Sequence, residues 1–205
     1  MKRGKFIVVD GGEGAGKTAV LKWFAKMSLG KKCLLTHEPG GTPFADKIRE
    51  LALSKEAGMA GAETQFGLMW AARAEHLQHK ISPALKKGVN VVCDRFDSAT
   101  YAYQIRAQGA GYLEKLFWQT RNAFLNDIKP DLYIFFDVEP AAGLRRVANR
   151  KAKKTHFDKR KLDFHKEVHA GFLDFFKKVP HKIIDANQSL ETVKTDFLEC
   201  VKMVL

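Results

Sequence analysis

Residues 11–18 read Gly11-Gly12-Glu13-Gly14-Ala15-Gly16-Lys17-Thr18, two glycines with four residues between them, then a lysine and a hydroxyl. The backbone amides of such a loop converge on one spot, and a helix opening directly after it adds unpaired N–H groups, so the pair cradles phosphate. Here the apolar run Lys5 to Asp10 leads into the loop and a helical pattern, Lys17 to Leu29, leaves it. In that context Lys17 reaches the β and γ phosphates of a nucleotide and Thr18 binds magnesium. The loop alone does not separate a kinase from a switch GTPase or a motor ATPase. No guanine-reading Asn-Lys-x-Asp segment follows a later strand, and Asp137-Val138-Glu139 is only a loose version of a motor's acidic pair. A chain of 205 residues suits a small nucleotide kinase.

Five short apolar runs rich in β-branched residues supply the strands that must carry this loop: Lys5 to Asp10, Lys32 to Thr36, Asn90 to Asp94, Asp131 to Asp137 and His181 to Asp185. Helical patterns lie between and after them: Lys17 to Leu29, Phe44 to Leu53, Ala62 to Leu85, Tyr112 to Asp127, Ala141 to Asn149, Phe157 to Lys178 and Leu190 to Val204. Strands alternating with helices predict an α/β fold, a five-stranded parallel sheet flanked by helices. A 45% hydrophobic composition in this length supports a single domain over 1–205. The segment Arg150 to Lys161 carries seven Lys or Arg in twelve residues and reads as a mobile, charged lid. No window holds the ~20 apolar residues of a membrane span, so a soluble, cytoplasmic protein is expected. Cys33, Cys93 and Cys200 are too few and too scattered for a disulfide framework or a zinc site and read as reduced thiols. The net charge of +12 fits a polyanionic ligand or a solvated face. No zinc finger, basic zipper or aromatic RNA-binding signature accompanies it, which argues against nucleic acid as the partner.

Asp10 before the loop, Glu38-Pro39-Gly40-Gly41-Thr42, Ala72-Arg73-Ala74-Glu75-His76, Pro83-Ala84-Leu85, Asp94-Arg95-Phe96 and Ala102-Tyr103-Gln104 form an ordered series. Gly143-Leu144-Arg145-Arg146, Phe164-His165 and Asp185-Ala186-Asn187 extend it towards the C-terminus. In order and spacing the series resembles the thymidylate (dTMP) kinase family of P-loop nucleoside monophosphate kinases over nearly the whole chain. The resemblance implies transfer of the γ-phosphoryl group of ATP to dTMP with Mg2+, giving dTDP and ADP. That chemistry is mostly positioning and charge neutralisation, so cations must clamp both phosphates. By resemblance, Arg95 bridges donor and acceptor phosphates, Arg73 serves the base and acceptor, and Asp10 lies beside the sugar hydroxyl and the magnesium. Glu38 and Pro39 belong to the same corner. Tyr103 and Gln104 lie on a helix bordering the thymine pocket, Arg146 stacks on adenine and Asn187 lies in the turn beside it. Glu13 in the loop resembles the bacterial type, in which the lid supplies the transition-state cation; Arg150 is the candidate, with Lys151, Lys153 and Lys154 beside it. The family precedent also implies a homodimer packed through helices that include Ala62 to Leu85 and Tyr112 to Asp127.

Three departures bear on base choice. Met69 stands where the family usually stacks an aromatic ring on thymine, Ala99 where a serine is common, with Thr100 next to it, and His37 where an arginine precedes Glu-Pro-Gly-Gly. The lid also lacks the Asp-Arg pair often found before the phenylalanine at 157. Two further readings therefore stand open: a kinase for another deoxynucleoside monophosphate, such as a 5-substituted deoxyuridylate, and a nucleotide-binding regulator without turnover.

Overall fold

The computed structural model describes residues 2–148, 157 and 160–205. Five strands, β1 (Phe6–Gly11), β2 (Cys33–His37), β3 (Asn90–Asp94), β4 (Leu132–Asp137) and β5 (His181–Asp185), form one sheet in the order β2-β3-β1-β4-β5. Every neighbouring pair is parallel, which is the α/β architecture the alternating runs predict.

The central strands are apolar on both faces because helices cover both. Phe6 and Val8 of β1 point into one core with Val91, Cys93, Tyr133 and Phe135. Ile7 and Val9 point into the other with Val92, Ile134 and Phe136. On the second face lie α1 (Lys17–Phe24) and α10 (Leu190–Lys202), whose Phe24 and Phe197 meet edge to face at 5.3 Å. The first face is covered by α4 (Ala62–His76), α5 (Ser82–Lys86), α7 (Glu114–Leu125) and α9 (Leu162–Phe176). Two short helices, α2 (Ser28–Lys31) and α6 (Asp97–Thr100), and two longer ones, α3 (Pro43–Ala52) and α8 (Pro140–Ala148), complete the chain. No helix among the described residues is long and apolar enough to cross a membrane.

Several helix boundaries differ from the periodic pattern. The run Lys17 to Leu29 splits into α1 and α2, and Gly30 packs so close that a Cβ there would meet the Phe24 carbonyl oxygen at 2.0 Å. The run Ala62 to Leu85 passes from α4 through a wide π turn, Leu77–Ile81, into α5. Pro83 lacks the N–H an unbroken helix would need there. The run Phe157 to Lys178 becomes helical only at Leu162, the start of α9. The helix that the resemblance implies beside the base pocket begins as α6 and widens into a π segment, Tyr101–Ala107. Its first turn is anchored by the fully buried Asp97, which accepts from Arg121 Nε at 2.5 Å and from the Tyr133 hydroxyl at 2.6 Å. Arg150 and all of the expected lid except Phe157, Arg160 and Lys161 lie outside the described residues.

Candidate active site

In an open parallel sheet the ligand crevice forms at the carboxyl ends of the strands, where connections diverge to the two faces. Here a cleft of about 710 Å³ opens there, bounded by the loop after β1, the segment after β2, the end of β3 and the α6 region. The glycine loop forms its floor. Gly14 and Gly16 have φ of 72° and 84°, a left-handed backbone that favours glycine, and a Cβ at Gly14 would meet the Gly143 carbonyl oxygen at 2.2 Å. Helix α8 thus packs directly on the loop. Gly12, Glu13, Ala15, Lys17 and Thr18 line the cleft with them, while Gly11 is buried behind.

Lys17 Nζ donates to the Gly11 carbonyl at 2.9 Å. Burial and the neighbouring Arg95 charge push its pKa down, against the pull of Asp94, Glu13 and Asp10. Arg95 follows β3 in a left-handed conformation, φ 67°, rare for a non-glycine and typical of residues held for function. Its guanidinium pairs with Asp10 Oδ1 at 3.3 Å and Glu13 Oε1 at 3.1 Å, and it lies over the Tyr103 ring at 5.4 Å. Its partners are therefore Asp10 and Glu13, not the adjacent Asp94. Asp10 is fully buried beneath the cleft, accepting from the Ser98 hydroxyl at 2.6 Å and the Gly11 amide at 3.1 Å. Burial raises its carboxyl pKa despite Arg95 and Lys17. At Glu13 burial also works upward, but Arg95, Lys17 and the Tyr103 hydroxyl outweigh it, so that carboxyl is held low.

The far wall carries the pocket residues. Arg73 on α4 is almost fully buried: Nε donates to Glu38 Oε2 at 2.8 Å and Nη2 to Thr100 Oγ1 at 3.1 Å, while Nη1 has no partner. Its guanidinium lies 4.5 Å from the Trp70 ring centre and 5.1 Å from that of Phe96. Gln104 donates through Nε2 to Gln65, and its Oε1 accepts no hydrogen bond from the described residues. Pro39, Met69, Ala99, Tyr103 and Phe157 also face the cleft. The Thr100 hydroxyl, next to the alanine departure, is used to hold Arg73. Arg146 reaches from α8 to the Ala186 carbonyl at 2.8 Å and the Gly14 carbonyl at 3.3 Å, spanning the loop and the turn after β5. Asn187 sits in that turn, exposed, with Oδ1 accepting from the Glu139 amide.

A family profile described as thymidylate kinase matches residues 9–197. The chain belongs to the thymidylate kinase family. A thymidylate kinase of Marinomonas sp. (strain MWYL1) is 40% identical over 201 residues, 96% of this chain and 93% of that protein. One from Shouchella clausii (strain KSM-K16) is 39% identical over 211 residues, covering 100% and 98%, and one from Hahella chejuensis (strain KCTC 2396) is 38% identical over 203 residues, covering 95% and 94%.

In this family member one further charged cleft residue escapes a reading of the sequence. Arg49 projects from α3 and donates to the Pro39 carbonyl at 2.7 Å. Nothing local distinguishes it from a surface arginine; only the helix packing turns it inward. His37 lies beside it, its pKa lowered by burial and by the Arg49 charge. Asp94, quoted within a motif, presents a buried Oδ1 without a hydrogen-bond partner. That atom and the Thr18 hydroxyl give the cleft two hard oxygen donors. Among the described residues no cluster of three or more His, Cys, Asp or Glu forms a metal cage. Two oxygens without a cage fit magnesium, which completes its octahedron with water and phosphate oxygens.

Proposed function

We propose that the chain transfers the γ-phosphoryl group of ATP to the 5′-phosphate of dTMP, yielding ADP and dTDP. The carrying observation is a buried donor on the cleft wall with no partner, Arg73 Nη1, beside Gln104, whose Nε2 is spent on Gln65 and whose Oε1 is left to accept. A thymine or uracil edge offers the complement, an O4 acceptor beside an N3–H donor. Cytosine offers the reverse and leaves both protein groups opposed. The apolar flank of Leu53, Met69 and Phe96 suits a 5-methyl group, a contact worth roughly tenfold or more in selectivity.

At the other end of the cleft, the loop amides and Lys17 receive the donor's phosphates, with Arg146 and the Asn187 turn beside the donor's base. Arg95 lies between the two ends and exchanges its Glu13 contact for phosphate oxygens as they arrive. Arg49 supplies a second guanidinium on the acceptor side. An acceptor phosphate oxygen attacks the γ-phosphorus in line, the bond to the bridging β–γ oxygen breaks, and the electron pair leaves on ADP. Thr18 and Asp94 would hold magnesium, which would supply charge neutralisation at the phosphates. Asp10 acts through Arg95, whose guanidinium it orients from beneath. The Glu13 side chain on the loop supports the bacterial-type arrangement, in which Arg150 and its lysine neighbours close over the phosphates and exclude water. The use of free nucleotides as both substrates supports a cytoplasmic location.

The test is steady-state phosphorylation of dTMP, dUMP, 5-hydroxymethyl-dUMP, dCMP, dGMP and dAMP with ATP and magnesium. dTMP should give the highest kcat/KM, dUMP about tenfold less, and dCMP and the purines far less. A 5-substituted dUMP in first place would turn Met69 and Ala99 into determinants of a different base choice. Turnover of none would overturn the enzymatic reading.

We also propose a homodimer. Phe44 and Leu51 on α3, and Leu116 and Phe124 on α7, are exposed apolar side chains on the helices flanking α4. Light scattering on the eluted protein should give twice the 23.1 kDa chain mass, and Leu51→Glu should shift it to the monomer; a monomeric native protein would refute the assembly.

A further inference from the structure

Resting on the base reading above, we infer that Gln65 is a positioning residue for base selection: it fixes the Gln104 side chain with its carbonyl towards the base. Gln65 is 1% exposed on α4 and does not line the cleft. The two ends of an amide are chemically opposite, so an amide read by a ligand must be held from flipping. Around Gln65 the surroundings decide the sense. One end of its amide lies 2.8 Å from the Ala57 carbonyl oxygen and 3.2 Å from that of Ala60. Only the nitrogen can meet two acceptors.

Its Oε1 therefore points the other way, where the terminal nitrogens of Gln104 and Gln108 approach at 3.3 Å and 2.6 Å. A flipped Gln104 would set oxygen against oxygen in a buried site, losing a hydrogen bond and leaving the Gln104 oxygen facing an acceptor that Gln108 still occupies. With the flip blocked, Gln104 offers the base an acceptor. That acceptor takes the N3–H of thymine and opposes the N3 lone pair of cytosine. The donor side is fixed separately, since Glu38 and Thr100 occupy two of the Arg73 nitrogens. Selectivity thus extends one layer behind the pocket, to the turn Ala57–Met59 that orients Gln65.

The experiment measures kcat and KM for dTMP and dCMP in the native enzyme, Gln65→Leu, Gln65→Met and Gln65→Glu, each with a thermal unfolding curve. In the two apolar variants the Gln104 amide can turn, and the dTMP-to-dCMP ratio of kcat/KM should fall ~10- to 100-fold, mainly through KM, as expected when a site no longer enforces its hydrogen-bond pattern. Gln65→Glu, charged or neutral, still faces Gln104 with an acceptor oxygen and should keep the ratio even if it melts earlier. A purely structural role would lower melting temperature and both activities while leaving the ratio in place. A native enzyme that fails to prefer dTMP over dCMP overturns the base reading itself. A native preference retained by the apolar variants overturns only the role of Gln65. If neither apolar variant folds, Gln65→Ser, which stays polar but withdraws the acceptor from Gln104, decides: a fallen ratio supports the inference and a retained one refutes it.

Discussion

Arg95→Met should leave the protein folded and lower kcat by ~10³-fold or more, the scale on which a guanidinium at a transferring phosphoryl group acts. The side chain is held in place before any ligand arrives. Its amide donates to the Val9 carbonyl at 2.9 Å, its own carbonyl accepts from Cys93 Sγ at 3.0 Å, and its fork spans Asp10, the Gly11 carbonyl and Glu13. Little reorganisation remains for the reaction step, which is where fixed charge contributes most. Arg95→Lys should recover only part of the rate, because an ammonium cannot reproduce the fork. Steady-state kcat and KM for both nucleotides check this: a loss confined to KM would make Arg95 a binding group alone. The variant also carries a pH signature. Burial already raises the Asp10 carboxyl, and removing its guanidinium partner raises it further. A raised carboxyl means the folded state binds a proton more readily than the unfolded one, so stability rises as pH falls. The stability deficit of Arg95→Met should therefore narrow in acid and widen above neutrality.

What the sequence discloses is what depends on neighbours along the chain. The phosphate loop is eight consecutive residues between a strand and a helix, and all of it can be read locally. The strands are legible because a doubly covered sheet needs runs apolar on both faces. Even the edge strand β5, where only Ile184 is buried, keeps its β-branched pair. The far wall is different. Arg73 and Gln104 stand out by resemblance to a family motif, but their free atoms are defined by Glu38, Thr100 and Gln65, 35, 27 and 39 residues distant in the respective hydrogen bonds. Arg49 has no signature short of the packing of α3. The π segment at Tyr101–Ala107 is hidden too, since a few residues of wider winding barely disturb the apolar pattern. Met69 is informative in the opposite sense. Its departure from the usual ring is plain in the sequence, and it lies in the cleft wall 8% exposed, where a flexible thioether fills the space.

Glu38→Ala should destabilise the protein by about 3–5 kcal/mol, the cost of leaving a buried cation without its partner, and weaken use of dTMP by ~100-fold or more, as when a site's buried polar groups lose their pairing. Glu38 and Arg73 are each 2% exposed at the side chain, and their contact is 2.8 Å. The other carboxylate oxygen meets His76 Nδ1 at 3.0 Å, and His76 Nε2 meets Thr36 Oγ1 at 2.8 Å. The chain Thr36, His76, Glu38, Arg73 thus runs from β2 to the donor proposed to meet the base. Removing Glu38 strands Arg73 with a second unpartnered nitrogen beside Nη1, so the guanidinium must turn to find water or a new acceptor. Its aim at the O4 position is lost, and the loss should fall on KM for dTMP while KM for ATP stays near the native value, because the glycine loop and Lys17 make no contact with this chain. Glu38→Gln keeps an acceptor for Arg73 and should fall between the two proteins in both properties. Urea titration and two-substrate kinetics separate the outcomes. An equal rise in both KM values would mean the sheet end has collapsed, and an unchanged KM for dTMP would remove Arg73 from base recognition.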